Sequence, residues 1–234
     1  MIAVALDGPA GAGKSTIAKE LAKRFSLIHV DTGALYRAVG LYMLRQGLDP
    51  ADGAQVIPRL PEVQITLKFS PEGQRIFLGE EDVSEAIRTP EASRASSAVS
   101  AIPEVRAFLL EQQRKLAREN PVIMDGRDIG TVVLPDASIK IFLTAAPEAR
   151  AMRRYKELMA KGIDTDYDTV LAEVKERDYR DSHRETAPLR QAEDAVLADT
   201  VNAMGAIGTP MASSEIYTAL QQGTIDGLDH TPSV

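Results

Sequence analysis

A glycine-rich loop near the start of the chain limits the possible folds more than any other feature. Residues 8–15 fit the pattern Gly, four residues, Gly-Lys-Ser/Thr. The apolar run from Ile2 to Leu6 predicts a buried strand before the loop, and residues from Ile17 to Phe25 repeat with helical period after it. In this context the backbone N–H groups and the positive helix end face one anion. The loop therefore predicts an α/β fold that binds a nucleoside triphosphate.

The end of the loop carries the side chains expected to act on the phosphates. Lys14 can reach the β- and γ-phosphates, and the Ser15 hydroxyl can ligate Mg²⁺. The alternative is a glycine-rich turn with a chance lysine. The predicted ATP-binding residues are consecutive in the chain: Gly8, Pro9, Ala10, Gly11, Ala12, Gly13, Lys14, Ser15 and Thr16.

Composition excludes several other kinds of protein. The 234 residues can bury a sizeable core, and the net charge of −7 argues against a nucleic-acid or membrane-surface partner. There is no cysteine, and the three histidines lie far apart in the sequence. Thiol chemistry and a histidine-rich metal site are therefore not expected. The N-terminal apolar run is too short for a signal peptide, and no stretch is long enough to span a bilayer. We expect a monomer in the cytoplasm.

Short apolar runs separated by helical patterns predict a parallel sheet covered by helices on both faces. The predicted strands are Ala3 to Leu6, Phe25 to Val30, Pro121 to Met124, Ile139 to Leu143 and, more weakly, Ala195 to Leu197. Ligands bind at the carboxyl ends of such strands. Asp7, Asp31 and Asp125 are all expected at that edge.

Two segments interrupt this pattern. Residues from about 55 to 88 alternate in polarity around a Pro/Gly turn at 70–73, which predicts a hairpin-like β insert. Residues from about 148 to 191 are rich in arginine, and Pro147 and Gly162 stand where a helix begins and ends. This second segment is predicted to be helical.

Charged residues in the second segment recur at spacings that place them on one helix face. The two groups are Arg150, Arg153 and Arg154, and Arg177, Asp181 and Arg184. One interpretation is two solvated helices with surface ion pairs. The triphosphate loop favours another, because phosphoryl transfer depends on neutralising the charge of the transferring oxygens. A mobile, arginine-bearing lid is therefore predicted.

Two motifs follow predicted strands and enter helices. In residues 31–37, Tyr36 and Arg37 can hold a second phosphate opposite the loop. In residues 125–131, Asp125 is placed to orient waters on Mg²⁺. The alternative for both motifs is a strand-to-helix turn with capping residues.

Five motifs together resemble bacterial cytidylate kinases in order and spacing, from residue 1 to about 200. They are DGPAGAGKST (7–16), DTGALYR (31–37), DVSEAIR (82–88), DGRDIGT (125–131) and ERDYRDSHRETAP (176–188). The resemblance implies the P-loop nucleoside monophosphate kinase fold. It also implies phosphorylation of CMP and dCMP by ATP with Mg²⁺. The implied parts are a core over 1–200, a β-containing nucleotide-binding insert over about 37–100 and a helical lid over about 150–190.

The resemblance also implies roles for individual residues. The implied contacts of the CMP phosphate are Tyr36, Arg37, Arg127 and Arg184, those of the sugar are Arg177 and Asp181, and those of cytosine are Ser97, Arg106 and Asp128. Thr32 is also implied to contact CMP. The implied catalytic cations are Lys14, Arg127, Arg153, Arg154 and Arg184. This assignment suits cytosine, since an aspartate accepts from N4 while arginine and serine donate to N3 and O2.

The resemblance to the kinases stops near Thr200. Residues 201–227 resemble a fragment of a tripartite-transporter periplasmic solute-binding protein. We interpret residues 201–234 as an atypical tail from a fused gene end; the alternative is a divergent kinase tail. Ser213 or Ser214 is predicted to cap a short helix that ends at Gly223. For the whole protein, the alternatives are a kinase with another small-molecule acceptor and a non-catalytic nucleotide-binding switch.

Overall fold

The computed structural model describes residues 1–70 and 73–199. The predicted tail and its short helix therefore lie outside the described residues. The described chain forms two compact units. The first contains Met1–Ile2 and Lys19–Asp125, and the second contains Ala3–Ala18 and the residues from Gly126 onwards.

The chain alternates strands and helices. The strands are β1 Ala3–Asp7, β2 Ile28–Asp31, β3 Ile65–Ser70, β4 Gly73–Leu78, β5 Glu81–Asp82, β6 Val122–Gly126, β7 Ile139–Thr144 and β8 Val196–Asp199. The helices are α1 Lys14–Phe25, α2 Thr32–Arg45, α3 Gly53–Val56, α4 Pro90–Val99, α5 Pro103–Glu119, α6 Pro147–Ala160 and α7 Tyr167–His183. Short 3₁₀ turns span Ile57–Glu62 and Ala86–Arg88, and a π-type turn spans Ile129–Val133.

The first unit combines two parallel strands with the β insert. Strands β2 and β6 are parallel and in register from Ile28 opposite Val122 to Asp31 opposite Asp125, so both carboxyl ends reach the same edge. The insert is an antiparallel sheet in the order β3-β4-β5. One apolar core joins the insert to the helices through side chains such as Leu35, Val39, Met43, Ile76 and Leu109. The predicted β insert is confirmed.

The second unit contains three parallel strands in the order β1-β7-β8. The middle of β1 is fully buried, which explains its continuous apolar sequence. Helices α6 and α7 form a hairpin with a small core of Ala151, Leu158 and Val170. Helix α6 begins at Pro147 as predicted, and Gly162 follows it with a φ of +70°.

Two predicted boundaries are wrong, and each has a local cause. Helix α1 includes Phe25 and the chain turns at Ser26, whose φ is +54°, so β2 begins only at Ile28. Helix α7 ends at His183, well before 191, and Arg184 is extended with φ −65° and ψ 144°. Ala187 precedes Pro188, which disfavours helical backbone there. Arg177, Asp181 and Arg184 therefore do not share one helix face.

Helices α2 and α4 of the first unit approach with almost no space between their backbones. A Cβ atom added to Gly40 on α2 would lie 2.9 Å from Ala95 Cβ and 3.0 Å from Ser96 N on α4. Real Cβ atoms do not come this close to a backbone. The close packing of these two helices therefore requires glycine at position 40.

Among the residues that the structure describes, no helix is both long enough and apolar enough to cross a bilayer.

Candidate functional site

The glycine-rich loop lies between β1 and α1, as the sequence predicts. Gly8 directly follows the buried strand β1 and has a φ of +146°. A Cβ atom at this position would lie 1.9 Å from the carbonyl oxygen of Leu143 on β7. The start of the loop therefore has room for glycine alone.

Lys14 lies in the first turn of α1 with only 5% of its surface exposed. Its Nζ donates to the carbonyl oxygens of Gly8 and Pro9, each at 2.8 Å. The ammonium group thus lies inside the curve of the loop, where it can exchange carbonyl oxygens for phosphate oxygens.

A cavity of about 270 Å³ adjoins the loop. Its lining contains loop residues, arginines of α6 and one glutamate: Gly11, Gly13, Lys14, Ser15, Thr16, Arg150, Arg153, Arg154 and Glu157. Arg153 donates to the carbonyl oxygen of Gly11, and Arg154 lies 3.5 Å from Glu157. The cavity therefore brings together five of the nine residues predicted for the donor phosphates and the two predicted lid arginines.

Arg150 differs from its two neighbours because it is buried, with 3% of its surface exposed. Its Nε donates to Ala145 O at 2.8 Å and its Nη1 to Ala10 O at 3.0 Å. Both terminal nitrogens also contact the carboxylate of Asp178 on α7. Sequence spacing groups Arg150 with the lid arginines, but its environment is that of a structural ion pair.

Arginines and carboxylates form a second charged cluster in this unit. Arg127 Nε donates to Asp181 Oδ2 at 2.9 Å, and Arg184 Nη2 donates to Asp128 Oδ1 at 3.4 Å. Burial raises the pKa of Asp181, but the positive charges of Arg127, Arg177 and Arg184 outweigh it and hold that pKa below its usual value. Three arginines against two carboxylates leave the cluster with one excess positive charge, which favours an anion.

Asp7, the last residue of β1, holds the turn that follows Asp128. Its two carboxylate oxygens accept hydrogen bonds from the backbone N–H groups of Ile129 and Gly130, both at 2.7 Å. Burial is the main influence on its pKa and raises it to about 6, although the two N–H groups and Lys14 act in the opposite direction. The sequence motif contained Asp7, but the spacing alone gave it no role.

In the first unit, the motif over 31–37 is a helix N-terminus that holds an arginine. Asp31 caps α2 by accepting from Ala34 N at 3.1 Å, and its other oxygen accepts from Arg37 Nη2 at 2.6 Å. Gln74 of β4 pairs with the backbone of Asp31: Asp31 N donates to Gln74 Oε1 at 3.0 Å, and Gln74 Nε2 donates to Asp31 O at 3.3 Å. The insert thus holds the start of this motif, a contact that the sequence did not reveal.

Three other predicted residues of this unit also have defined surroundings. Thr32 is buried and donates its hydroxyl to Asp125 O at 2.8 Å, while the Asp125 carboxylate accepts from His29 Nε2 at 2.8 Å. The guanidinium of Arg106 lies 5.5 Å from the ring centre of Tyr36. This cation–π contact brings two of the predicted substrate residues together.

The family profile described as "Cytidylate kinase" matches residues 4–206, which is most of the chain. This chain belongs to the cytidylate kinase family. The protein named "Cytidylate kinase" in Caldicellulosiruptor bescii is 53% identical over 201 residues, which cover 86% of this chain and 89% of that protein. The protein of the same name in Caldanaerobacter subterraneus subsp. tengcongensis is 48% identical over 95% of this chain and 96% of its own length.

A second profile, described as "Bacterial extracellular solute-binding protein, family 7", matches residues 184–234. It confirms the predicted resemblance of the tail and begins earlier than residue 201. The Caldanaerobacter cytidylate kinase leaves only 5% of the 234 residues uncovered, a shorter stretch than 201–234. Part of the tail therefore aligns with cytidylate kinases as well. Among solved structures, a shikimate kinase from Bacteroides thetaiotaomicron superposes with a TM-score of 0.46 at 11% identity over 94% of this chain and 97% of its own.

Some residues that are predicted to bind the same ligand belong to different units, and their joint role stays a prediction. Ser97 on α4 and Arg106 on α5 belong to the first unit, whereas Asp128 belongs to the second. Asp125 and Ser15, both predicted for Mg²⁺, also belong to different units, Asp125 to the first and Ser15 to the second. Within single units, the structure does bring together the loop with Arg153 and Arg154, Arg127 with Asp181, and Arg184 with Asp128.

Proposed function

We propose that this protein transfers the γ-phosphoryl group of ATP to CMP and dCMP. The observation that carries the proposal is the cavity beside the glycine loop, whose lining contains the cations Lys14, Arg153 and Arg154. Cations that converge on such a loop suit a triphosphate, because catalysis of phosphoryl transfer depends mostly on neutralising the charge of the transferring oxygens. The curated relatives at about 50% identity are named cytidylate kinases, which supports CMP as the acceptor.

On the donor side, the loop residues from Gly8 to Thr16 are proposed to hold the ATP phosphates. Lys14 neutralises the β- and γ-phosphates, and Arg153 and Arg154 add charge from α6. Ser15, exposed in the cavity wall, suits Mg²⁺ as a hydroxyl ligand, with phosphate oxygens as the other ligands. When bound, the ion would neutralise charge between the β- and γ-phosphates. Asp125 is proposed to act on this ion through water.

On the acceptor side, the proposed contacts of the CMP phosphate are Tyr36, Arg37, Arg127 and Arg184, and Thr32 is also proposed to contact CMP. The excess positive charge of the cluster that contains Arg127 and Arg184 supports this role. Arg177 and Asp181 are proposed to bind the sugar. Arg37 and Arg127 are each already paired with a carboxylate, which orients their guanidinium groups before the substrate arrives.

Ser97, Arg106 and Asp128 are proposed to recognise cytosine. A carboxylate accepts from the N4 amino group, whereas uracil offers an oxygen at that position. The wrong base would leave buried polar groups without partners, so the selection against UMP is expected to be strong.

The proposed chemistry is direct in-line transfer without a covalent intermediate. The acceptor phosphate has a second pKa near 6 and is therefore largely dianionic at neutral pH, so it needs no general base. The protein contributes position and positive charge. Residues of about 37–100 and 150–190 are proposed to close as nucleotide-binding insert and lid around the core, which would exclude water from the reacting phosphates.

We also propose that the protein acts as a monomer in the cytoplasm, with no nucleic-acid or membrane partner. The acidic net charge of −7 supports the absence of a polyanionic partner. Light scattering at several concentrations, with and without ATP, tests the monomer, and fractionation of cells tests the location.

A coupled assay of ADP release with ATP and either CMP, dCMP, UMP or AMP tests the function. We expect turnover with CMP and dCMP and much slower turnover with UMP and AMP. Preferred turnover of another acceptor would instead support a different small-molecule kinase. ATP binding without turnover of any acceptor would support a nucleotide-binding switch.

The role of Asp128 can be tested by Asp128→Ala in the same assay. We expect the ratio of kcat/KM for CMP over UMP to fall about 10- to 100-fold, as for loss of one charged hydrogen bond. Asp136→Ala changes an exposed aspartate of the same segment and is expected to keep the ratio. An unchanged ratio in Asp128→Ala would refute the role in base recognition.

A further inference from the structure

The buried pair of Arg150 and Asp178 links three separate parts of the second unit. Arg150 lies on α6, Asp178 lies on α7, and the carbonyl of Ala10 lies in the middle of the glycine loop. The same guanidinium also binds the carbonyl of Ala145 just before α6. One side chain therefore fixes the loop relative to both helices of the predicted lid.

The contact with Ala10 has a consequence for phosphate binding. In a trans peptide the C=O and the following N–H point in opposite directions, so holding Ala10 O also sets the direction of Gly11 N–H. The N–H groups of the loop are its phosphate ligands. Arg150 thus sets the orientation of one of these ligands through the backbone of the loop.

Charge separates Arg150 from the two other arginines of the cavity. Its guanidinium is neutralised by a bidentate contact with the Asp178 carboxylate, so it adds little net positive charge to the site. Asp178 is also adjacent to Arg177, which is proposed to contact the CMP sugar. The pair therefore connects the shape of the donor loop to the helix that carries acceptor residues.

We infer that Arg150 and Asp178 are positioning residues that hold the donor loop in its ATP-binding shape and couple it to α7. The inference rests on the proposed binding of ATP by this loop. It requires the guanidinium shape as well as its charge, because three acceptors in different directions must be reached at once.

The test measures ATP affinity by calorimetry and KM for ATP and CMP in Arg150→Met, Arg150→Lys and Asp178→Asn. We expect Arg150→Met to weaken ATP binding about 10- to 50-fold and to raise KM for ATP more than KM for CMP. Arg150→Lys is expected to recover less than half of the loss, and Asp178→Asn to weaken ATP binding about 3- to 10-fold. The double variant is expected to be no worse than Arg150→Met, because both changes break one unit.

Lys175→Met is the matched control. Lys175 and Glu148 form an ion pair of 3.0 Å between the same two helices, but both are on the exposed surface and neither lines the cavity beside the loop. We expect this variant to keep the ATP affinity of the parent. Equal weakening in Lys175→Met would show that helix pairing in general is responsible and would overturn the inference.

Thermal unfolding of every variant separates positioning from loss of fold. If Arg150→Met does not fold, Asp178→Asn decides: a folded Asp178→Asn with parental ATP affinity overturns the inference. Full recovery in Arg150→Lys also overturns it, since charge alone would then suffice. A parent that binds ATP but does not phosphorylate CMP contradicts only the proposed function, because ATP affinity still tests the pair.

Discussion

The donor loop of the second unit and the motif over 31–37 of the first unit are built in different ways. The loop uses consecutive residues, and its shape depends on backbone geometry at Gly8 and on carbonyl contacts with Lys14. The motif over 31–37 depends on side chains, including Gln74, which lies 43 residues from Asp31. The shape of the loop therefore depends on the space around its backbone, whereas the shape of the motif over 31–37 depends on the hydrogen-bond partners of its side chains and backbone.

The largest expected effect tests the space at the loop. Gly8→Ala combines backbone strain of about 1–3 kcal/mol with overpacking of about 1–3 kcal/mol, because the new Cβ meets Leu143 O. We expect the free energy of unfolding to fall by about 2–6 kcal/mol and ATP binding to become undetectable. Urea unfolding and calorimetry measure both.

Gly79→Ala is the control for this change. Gly79 has a φ of +59°, but no atom lies within 4 Å of an added Cβ. We expect a cost of only about 1–2 kcal/mol with ATP affinity retained. Similar losses in both variants would mean that backbone strain alone, rather than the contact with Leu143, governs the loop.

The next effect concerns the cation within the loop. Lys14→Met removes a charge proposed to stabilise the transferring phosphoryl group, and kcat is expected to fall about 10²- to 10³-fold. KM for CMP should change little, since the acceptor has its own cations. Steady-state kinetics beside Lys19→Met, a change at an exposed lysine of the same helix, measures this. A comparable fall in both variants would contradict the role of Lys14.

A third prediction concerns the pH dependence of stability through Asp7. Its pKa is about 6 in the folded protein against an ordinary value of 3.8, so the folded state binds the proton more tightly. The free energy of unfolding should therefore decrease as pH rises from about 4 to 6, by about 3 kcal/mol from this group. Asp7→Asn should lack this component.

Urea unfolding of the parent, Asp7→Asn and the exposed-site control Asp136→Asn between pH 4 and 7 tests the prediction. The difference between the parent and Asp7→Asn is expected to vary with pH, while the difference for Asp136→Asn stays within about 0.5 kcal/mol. Parallel curves for the parent and Asp7→Asn would show that the carboxyl titrates normally.

The smallest expected effect tests the partner of the motif over 31–37. Gln74→Ala removes two hydrogen bonds to the backbone of Asp31. At about 0.5–1 kcal/mol for each bond, we expect KM for CMP to rise about 5- to 30-fold with KM for ATP unchanged. Gln64→Ala, at an exposed glutamine of the insert, is expected to leave both values unchanged. An equal rise of both KM values in Gln74→Ala would contradict the expectation that Gln74 supports the motif over 31–37 and not the loop.

The sequence predicted the parts of the fold that depend on neighbouring residues. The loop, the parallel strands and the β insert follow from local patterns of glycine and apolar residues, and the structure contains them. Such patterns did not predict where α7 ends. The helical spacing of charged residues continues through Arg184, but the backbone before Pro188 is not helical and α7 ends at His183.

The residues that the sequence missed depend on contacts between distant parts of the chain. Asp7 binds N–H groups more than a hundred residues away, and Arg150 binds Ala10 across a similar separation. Spacing placed Arg150 beside Arg153 and Arg154 on α6, but burial and the pairing with Asp178 cannot be read from spacing. Tyr36 and Arg106 were both predicted for the substrate, yet their mutual contact emerges only from the packing of the helices.

Because helices α2 and α4 pack closely at Gly40, we expect them to move together. Tyr36 and Arg37, proposed for the acceptor phosphate, are on α2, and Ser97, proposed for the base, is on α4. The close approach of Gly40 to Ala95 and Ser96 limits how far one helix can turn against the other at this point. A movement of Tyr36 and Arg37 towards a phosphate would then also move Ser97, so the proposed contacts of the phosphate and of the base would form together.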